Sequence, residues 1–240
     1  MMQRRGQTDS AGQQPAVAPN RRRPPVPPVP PEFQAGKIMK MDSPELVEIL
    51  NNAQAATFQK AKACMRLAMV GTRDAVPALA AMLADKQLAH YARFGLVPIP
   101  DPSVDDALRG ALKKLKGPLL VGVIDSIGQR KDAGAVEPVA RLMYDPDPQV
   151  AQAAAATLGR ISGPQATKAL QAGLARIKGP ARSAVAAACL VCAEGLMAQG
   201  DRKGALALYD ALSRPDMPKS VRLAAMHNII AAETSLTRPR

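Results

Sequence analysis

The chain has 240 residues, of which 47 % are hydrophobic and 2 % aromatic, with no Trp and a formal net charge of +12. Its apolar residues are mainly Ala, Leu, Val and Met, which argues against a β-sandwich, because that fold needs β-branched and aromatic residues in alternation. Three cysteines exclude a disulfide framework, and no apolar run reaches the ~18 residues of a transmembrane helix.

Residues 1–41 are predicted to form a disordered, basic, proline-rich tail, because they hold too few large apolar groups to offset the entropy of ordering. The run Arg21–Pro31 favours polyproline II. It contains two Arg-x-x-Pro-x-x-Pro motifs that a polyproline-reading domain could bind, although a stiff spacer is the favoured interpretation. The N-terminus has no apolar signal-peptide core. We therefore expect a cytoplasmic protein, or an exported or envelope-associated one if a leader lies upstream.

A helical domain is predicted over residues 42–236, followed by a short tail at 237–240. Ser43 is the expected N-cap of the first helix, with Pro44 at its first position. Later Gly-Pro pairs offer a glycine to end one helix and a proline to start the next. The helices are predicted at 44–55, 57–70, 74–85, 87–95, 103–115, 118–129, 134–144, 148–160, 164–176, 180–199, 202–213 and 218–233.

Internal repetition is the main signal in this domain. The segments 75–85, 135–145 and 166–176 share an Ala-rich pattern with Leu or Val at matching positions, and each follows a small-residue helix and a glycine-containing turn. A helix pair cannot bury its apolar stripe alone, so recurring pairs must stack. The sequence therefore predicts an all-α, right-handed solenoid of about five to six antiparallel helix pairs with an extended concave face.

These repeats resemble HEAT repeats, in particular the short bacterial type named for phycobilisome lyases. The resemblance covers residues 57–233, and Asp147-Pro-Gln-Val150 with the following Ala run is similar to that family's repeat opening. The stretch 90–102 is similar to HEAT proteins of planctomycete-type bacteria. The resemblance implies an armadillo-like solenoid and specifies no activity, because family members include scaffolds, nucleic-acid binders and a few chromophore lyases.

The segment 90–102 is the first candidate binding site, because it departs from the repeat rhythm and is rich in aromatic residues. It carries His90, Tyr91, Arg93 and Phe94 before a proline-rich loop. Loops that interrupt a scaffold often bind partners. The alternative is a degenerate repeat whose large side chains fill a gap in the core.

Basic residues form the second candidate site. Lys113, Lys114 and Lys116 cluster at a helix C-terminus, where cations also stabilise the helix dipole. Arg141, Lys168 and Arg176 lie in helices that the resemblance places on the concave side. If aligned, they would form a positive stripe for phosphate or carboxylate groups, whereas an ordinary solvated face is the favoured alternative.

No catalytic motif is recognisable, so we expect no enzyme activity, no metal and no cofactor. Cys189 and Cys192 lie one helical turn apart without flanking histidines, which favours core packing over a metal or redox site. His90 and His227 are far apart in the sequence and lack a local nucleophile.

The leading functional hypothesis is a non-catalytic scaffold that binds a protein partner on the concave face, with no membrane span. Non-specific nucleic-acid binding through the basic tail and stripe is the first alternative. A lyase-like accessory enzyme on the same scaffold is the second. The oligomeric state is left open.

Overall fold

The computed structural model describes residues 35–237, with side chains as far as Thr234, and all regular elements in this part of the chain are helices. All twelve predicted helices are present, and one short helix precedes them. The helices are α1 (Ala35–Ile38), α2 (Ser43–Asn51), α3 (Thr57–Val70), α4 (Val76–Ala81), α5 (Ala89–Leu96), α6 (Pro102–Leu112), α7 (Gly117–Arg130), α8 (Val136–Leu142), α9 (Pro148–Ile161), α10 (Gly163–Arg176), α11 (Pro180–Ala198), α12 (Arg202–Leu212) and α13 (Lys219–Thr237).

The helices pack as six successive pairs, α2–α3, α4–α5, α6–α7, α8–α9, α10–α11 and α12–α13. The second helices of the pairs, α3 to α13, stack on one another and form what we call the odd layer. The first helices, α2 to α12, form the even layer on the other side. The predicted all-α solenoid of helix pairs is confirmed.

The order within a pair differs from the sequence prediction. The small-residue helix was expected to open each unit, but α9, which carries the Ala run, packs as the second helix of its pair against α8. The sequence repeats equally well from either starting helix, so only the tertiary contacts settle the pairing.

The odd-layer helices approach closely because glycines lie where they cross. A Cβ on Gly95 would lie 2.8 Å from the carbonyl oxygen of Cys64, and one on Gly159 would lie 2.7 Å from that of Ala188. Neither distance leaves room for a methyl group, so glycine sets the spacing of α3 from α5 and of α9 from α11. Open grooves remain in both layers, of about 390 Å³ between α4 and α6 and about 580 Å³ between α8 and α10 in the even layer, and of about 500 Å³ between α9 and α11 in the odd layer.

Helix α11 is the central core helix of the C-terminal half. By length and composition it is the one described helix that could cross a membrane, with a mean hydropathy of 1.5. Its packing accounts for this apolarity, because it contacts α9, α10 and α12 and buries Val185, Cys189, Cys192 and Leu196. We therefore describe α11 as a core helix.

Two predicted boundaries need correction. Helix α1 lies inside the tail predicted for residues 1–41, and its Ile38 is buried in the core, which anchors the chain before Asp42. Helix α13 continues through Thr237, where the C-terminal tail was expected to begin. The rest of both tail predictions, at 1–34 and 238–240, lies outside the described residues.

The N-cap of α2 is also one residue earlier than predicted. Asp42, not Ser43, caps the helix: its carboxylate accepts from the backbone N–H of Glu45, and the Glu45 side chain accepts from the N–H of Asp42. Such a reciprocal capping box satisfies two otherwise orphaned donors. Asp147 caps α9 as expected, by accepting from the N–H of Gln149.

Candidate protein-binding face around Phe94

Helix α5 places the first set of predicted binding residues on the surface of the odd layer. Phe94 leaves 52 % of its surface exposed. His90 is exposed, Tyr91 is half-buried, and their rings meet edge to face with centroids 5.6 Å apart. Only six residues of the whole chain are Phe or Tyr, and a large aromatic side chain is normally placed in the core. The exposure of Phe94 therefore marks this part of the surface as a candidate binding site.

A shallow cavity of about 260 Å³ opens beside Phe94, between α5 and α7. His90, Arg93, Phe94 and Pro98 line it on one side, and Ser126 and Gln129 of α7 line it on the other. Its size suits one apolar side chain of a partner, not a metabolite-sized ligand.

Arg93 presents a desolvated cation to this cavity. Its guanidinium lies directly against Gly122 of α7, in the space where any Cβ at that position would overlap it. Burial lowers the pKa of Arg93, and the negative charge of Asp125 opposes that shift. Among residues 35–237 Arg93 has no hydrogen bond or ion pair, so its donors are free for an external carboxylate or carbonyl.

Asp125 does not neutralise Arg93 through a direct contact, because α9 holds its carboxylate. Arg160 donates to Oδ1 of Asp125 over 2.7 Å and also to the hydroxyl of Thr157 over 3.0 Å. That hydroxyl in turn donates to the carbonyl of Ile124 over 2.9 Å. The ion pair between Asp125 of α7 and Arg160 of α9 therefore occupies the carboxylate whose charge acts on Arg93, and Arg93 is left without an ion pair among the described residues.

Helix α3, which packs against α5, also carries an exposed apolar side chain. Met69 of α3 is 73 % exposed, the highest value among the exposed large hydrophobic side chains of the described residues. Met69 is not among the binding residues predicted from the sequence. Nothing in the residues around it indicates that it is exposed, because only the packing of α3 against α5 decides which face of α3 remains free.

The proline-rich loop at 97–101 is a fixed connection between α5 and α6. Arg130 at the end of α7 donates to the carbonyls of Val97, Ile99 and Asp101 over 2.9, 2.8 and 3.2 Å. Ile99 is also buried. The expected binding role of the segment 90–102 therefore falls on its helical part, with the loop as support. Arg130 was not predicted to support this loop. It is the last residue of α7, and nothing in the sequence around it indicates contacts with residues about 30 positions earlier.

The predicted basic residues lie on other surfaces. Lys113, Lys114 and Lys116 are exposed at the turn between α6 and α7, with Lys113 as the C-cap of α6. In the even layer, Lys168 and Arg176 are exposed on α10, and Arg141 of α8 donates to Glu137 over 2.7 Å. The structure thus divides the ten candidate residues between the face around Phe94, one turn and the even layer.

The three cysteines are core residues, as predicted. Cys64, Cys189 and Cys192 are each fully buried, and burial raises the pKa of the first two thiols to about 12. Burial also raises the pKa of Cys192, whose sulfur lies 3.4 Å from the hydroxyl of Thr167. Protonated, enclosed thiols are poor nucleophiles. Within residues 35–237 no group of three His, Cys, Asp or Glu side chains could hold a metal ion.

Residues 106–191, which extend from α6 into α11, match the family model of HEAT repeats. Two engineered proteins solved by the Northeast Structural Genomics Consortium are similar in structure. One has a TM-score of 0.45 at 19 % identity over 82 % of this chain and 97 % of its own. The other has a TM-score of 0.47 at 20 % identity over 82 % of this chain and 58 % of its own. No curated protein matches the chain.

Proposed function

We propose that this chain, whose residues 106–191 match the family model of HEAT repeats, is a scaffold that binds a protein partner on the odd-layer face around Phe94. The observation that carries the proposal is the pairing of a half-exposed phenyl ring with an unpaired, half-buried guanidinium at the mouth of one cavity. Aromatic residues and arginine supply most of the binding free energy in protein interfaces. A partner that inserts an apolar side chain beside Phe94 and offers an acceptor to Arg93 would fit.

The spacing of the two layers supports a concave position for this face. Gly95 and Gly159 bring odd-layer helices against the backbone of their neighbours, whereas no described glycine of the even layer lies against the backbone of another even-layer helix. An array whose helices are closer on one side curves toward that side. On this argument the concave surface is made by α3 to α13, and Arg141, Lys168 and Arg176 of α8 and α10 face the opposite way.

The test compares two aromatic residues of nearly equal exposure. Phe94 is 52 % exposed on the odd layer and Tyr144 is 50 % exposed beside the even layer. We would immobilise the wild type, Phe94→Ala and Tyr144→Ala, capture proteins from the native host and quantify them by mass spectrometry. Proteins bound at the proposed face should fall about 10-fold or more with Phe94→Ala and stay unchanged with Tyr144→Ala.

Either of two results would refute the proposal. The first is an unchanged set of captured proteins with Phe94→Ala. The second is an equal loss with both variants. Thermal melts of all three proteins would show that the substitutions leave the fold intact, which is expected because both side chains are half-exposed.

Nucleic-acid binding is a second candidate, supported by the turn between α6 and α7. Lys113, Lys114 and Lys116 are exposed there and have no ion pair within residues 35–237. The stripe proposed alongside them is weakened, since Arg141 already pairs with Glu137. A gel shift with duplex DNA at about 50 and 200 mM salt tests this function, because phosphate contacts lose affinity steeply over that range. Lys113→Glu with Lys114→Glu should abolish the shift; DNA left unshifted at the lower salt would dismiss this candidate.

A lyase-like activity has less support. The cavity of about 500 Å³ at the N-terminal ends of α9 and α11 is lined by apolar side chains such as Met143, Ile177 and Val185 and by no titratable group. General acid–base chemistry needs at least one such group within hydrogen-bond reach of a substrate.

A further inference from the structure

Helix α13 ends the described array and carries two different faces. Val221, Ala225 and Ala232 are buried on the face turned toward the preceding helices. On the outer face Leu223, Met226 and Ile230 are 54, 48 and 63 % exposed. These three positions follow one another at helical spacing, so their side chains form one continuous apolar stripe.

An apolar outer face is unusual for a helix with no neighbour beyond it in the described part of the chain. Helices inside the array cover such a stripe with the next repeat, whereas terminal repeats normally turn a polar face to water. Within residues 35–237 no element packs on the outer face of α13. The stripe of Leu223, Met226 and Ile230 therefore has the properties of a surface on which another helix packs.

The charges at the two ends of this face indicate what that helix is. Lys219 lies seven residues before Met226 and Glu233 lies seven residues after it, and both are exposed. A second α13 laid antiparallel across Met226 would place each Lys219 opposite Glu233 of the second copy. The same symmetry places Leu223 opposite Ile230 of the second copy, to within one residue.

The helix dipole points to the same arrangement. Lys219 begins α13 and Glu233 lies near its end, so each charge has the sign that its own end of the dipole disfavours. In an antiparallel pair Lys219 meets the negative end of the other helix and Glu233 meets its positive end. Both charges are then favourably placed.

We propose that two copies of this chain form a symmetrical dimer through the outer faces of their α13 helices. The interface is isologous, with the two-fold axis close to Met226. A single helix–helix seam is smaller than the ~1,200 Å² of a standard interface, so we expect weak association, with a dissociation constant in the micromolar range or above.

The first experiment measures self-association of the full chain by sedimentation equilibrium from about 5 to 500 µM. The wild type should show a reversible monomer–dimer equilibrium. Met226→Glu should raise the dissociation constant about 10-fold or more, because it sets two carboxylates against each other at the axis. Tyr144→Glu is the matched control, since Tyr144 is 50 % exposed, close to the 48 % of Met226, and lies outside both α13 and the face around Phe94; it should leave the equilibrium unchanged.

Charge reversal then tests the register. Lys219→Glu alone and Glu233→Lys alone should each weaken self-association, since each sets like charges together. An equimolar mixture of the two single variants should form a heterodimer about as tightly as the wild type, because every contact in it again joins opposite charges. The double variant should also recover self-association.

Three results would overturn the proposal. One is a wild type that stays monomeric up to the highest concentration, which would leave the α13 face to another protein or a further helix. Another is an equal effect of Met226→Glu and Tyr144→Glu, which would indicate unspecific contact. The last is a mixture of the charge variants that fails to associate, which would exclude the antiparallel pairing.

Discussion

Arg130 of α7 and Asp105 of α6 form a two-pronged ion pair inside the third helix pair, next to the loop that joins this pair to the second. Nη2 of Arg130 donates to Oδ2 of Asp105 over 3.0 Å, and Nε donates to Oδ1 over 2.5 Å. The same guanidinium donates to the carbonyls of the loop at 97–101. One side chain of α7 therefore connects α6 to the end of α5. It also fixes the loop at 97–101 that lies next to the face around Phe94.

Arg130→Met should destabilise the protein by about 3 kcal/mol, since it leaves a part-buried carboxylate and three loop carbonyls without their donor. The side chain of Arg130 is only 12 % exposed, so solvent can replace little of what is lost. Urea unfolding followed by circular dichroism measures the change. Arg141→Ala, which removes the exposed pair with Glu137, is the control and should cost less than about 0.5 kcal/mol. Equal effects of the two substitutions would contradict this role for Arg130.

Replacing two helical glycines with alanine should change the free energy of unfolding in opposite directions. Gly159→Ala forces a methyl group to within 2.7 Å of a backbone oxygen of α11, which should cost about 1–3 kcal/mol as the helices separate. Gly110→Ala meets nothing within 4 Å on exposed α6 and should stabilise by about 0.4–1 kcal/mol. Midpoints of urea unfolding for both variants check this. A neutral Gly159→Ala would mean that the α9–α11 spacing is set elsewhere.

The three thiols should resist alkylation in the native protein. Cys64 and Cys189 are fully buried with a pKa near 12, so almost no thiolate is present at pH 8 and none is accessible. Mass spectrometry after iodoacetamide treatment should show an unmodified native chain and three modified cysteines in denaturing urea. Rapid modification of Cys192 alone under native conditions would show that α11 opens locally, which its packing argues against.

The ion pair between Arg182 and Asp216 should make stability depend on pH in one direction. Nη2 of Arg182 donates to Oδ2 of Asp216 over 2.7 Å, and this hydrogen bond holds the pKa of Asp216 below its usual value. A depressed carboxyl pKa stabilises the fold at neutral pH, and the contribution is lost as the pH falls through that pKa. Wild type should therefore melt above Asp216→Asn at pH 7, and the difference should vanish in acid. A difference that persists unchanged at low pH would assign it to something other than this pair.

The positions of the helices could be predicted from the sequence, because capping residues, prolines and apolar spacing act over a few residues. Proline at first helical positions and Asp147 as a cap marked the starts, and the spacing of Ala and Leu marked the lengths. Helix α1 was missed because its four residues lie in a proline-rich context and are held by the burial of Ile38, a long-range contact. The pairing of helices was also missed, since a repeating sequence has no intrinsic first helix.

The candidate site could be predicted from the sequence only in part. An aromatic cluster in a chain with few aromatics identified His90, Tyr91, Arg93 and Phe94, and the structure does bring them together beside α7. Nothing local indicated that Arg130 holds the adjacent loop, because its partners lie 25 or more positions away in the sequence. The pairing of Arg141 did have a local sign, since Glu137 stands four residues before it on the same helix.

By itself the sequence determined that this chain forms stacked helices with a small-residue core, since helix propensity, capping and apolar period act over a few residues. Only the tertiary structure decided which faces remain free. Whether Phe94, Met226 or Arg93 is covered depends on how neighbouring helices pack, and glycine–backbone contacts between helices set that packing at distances the local sequence cannot encode.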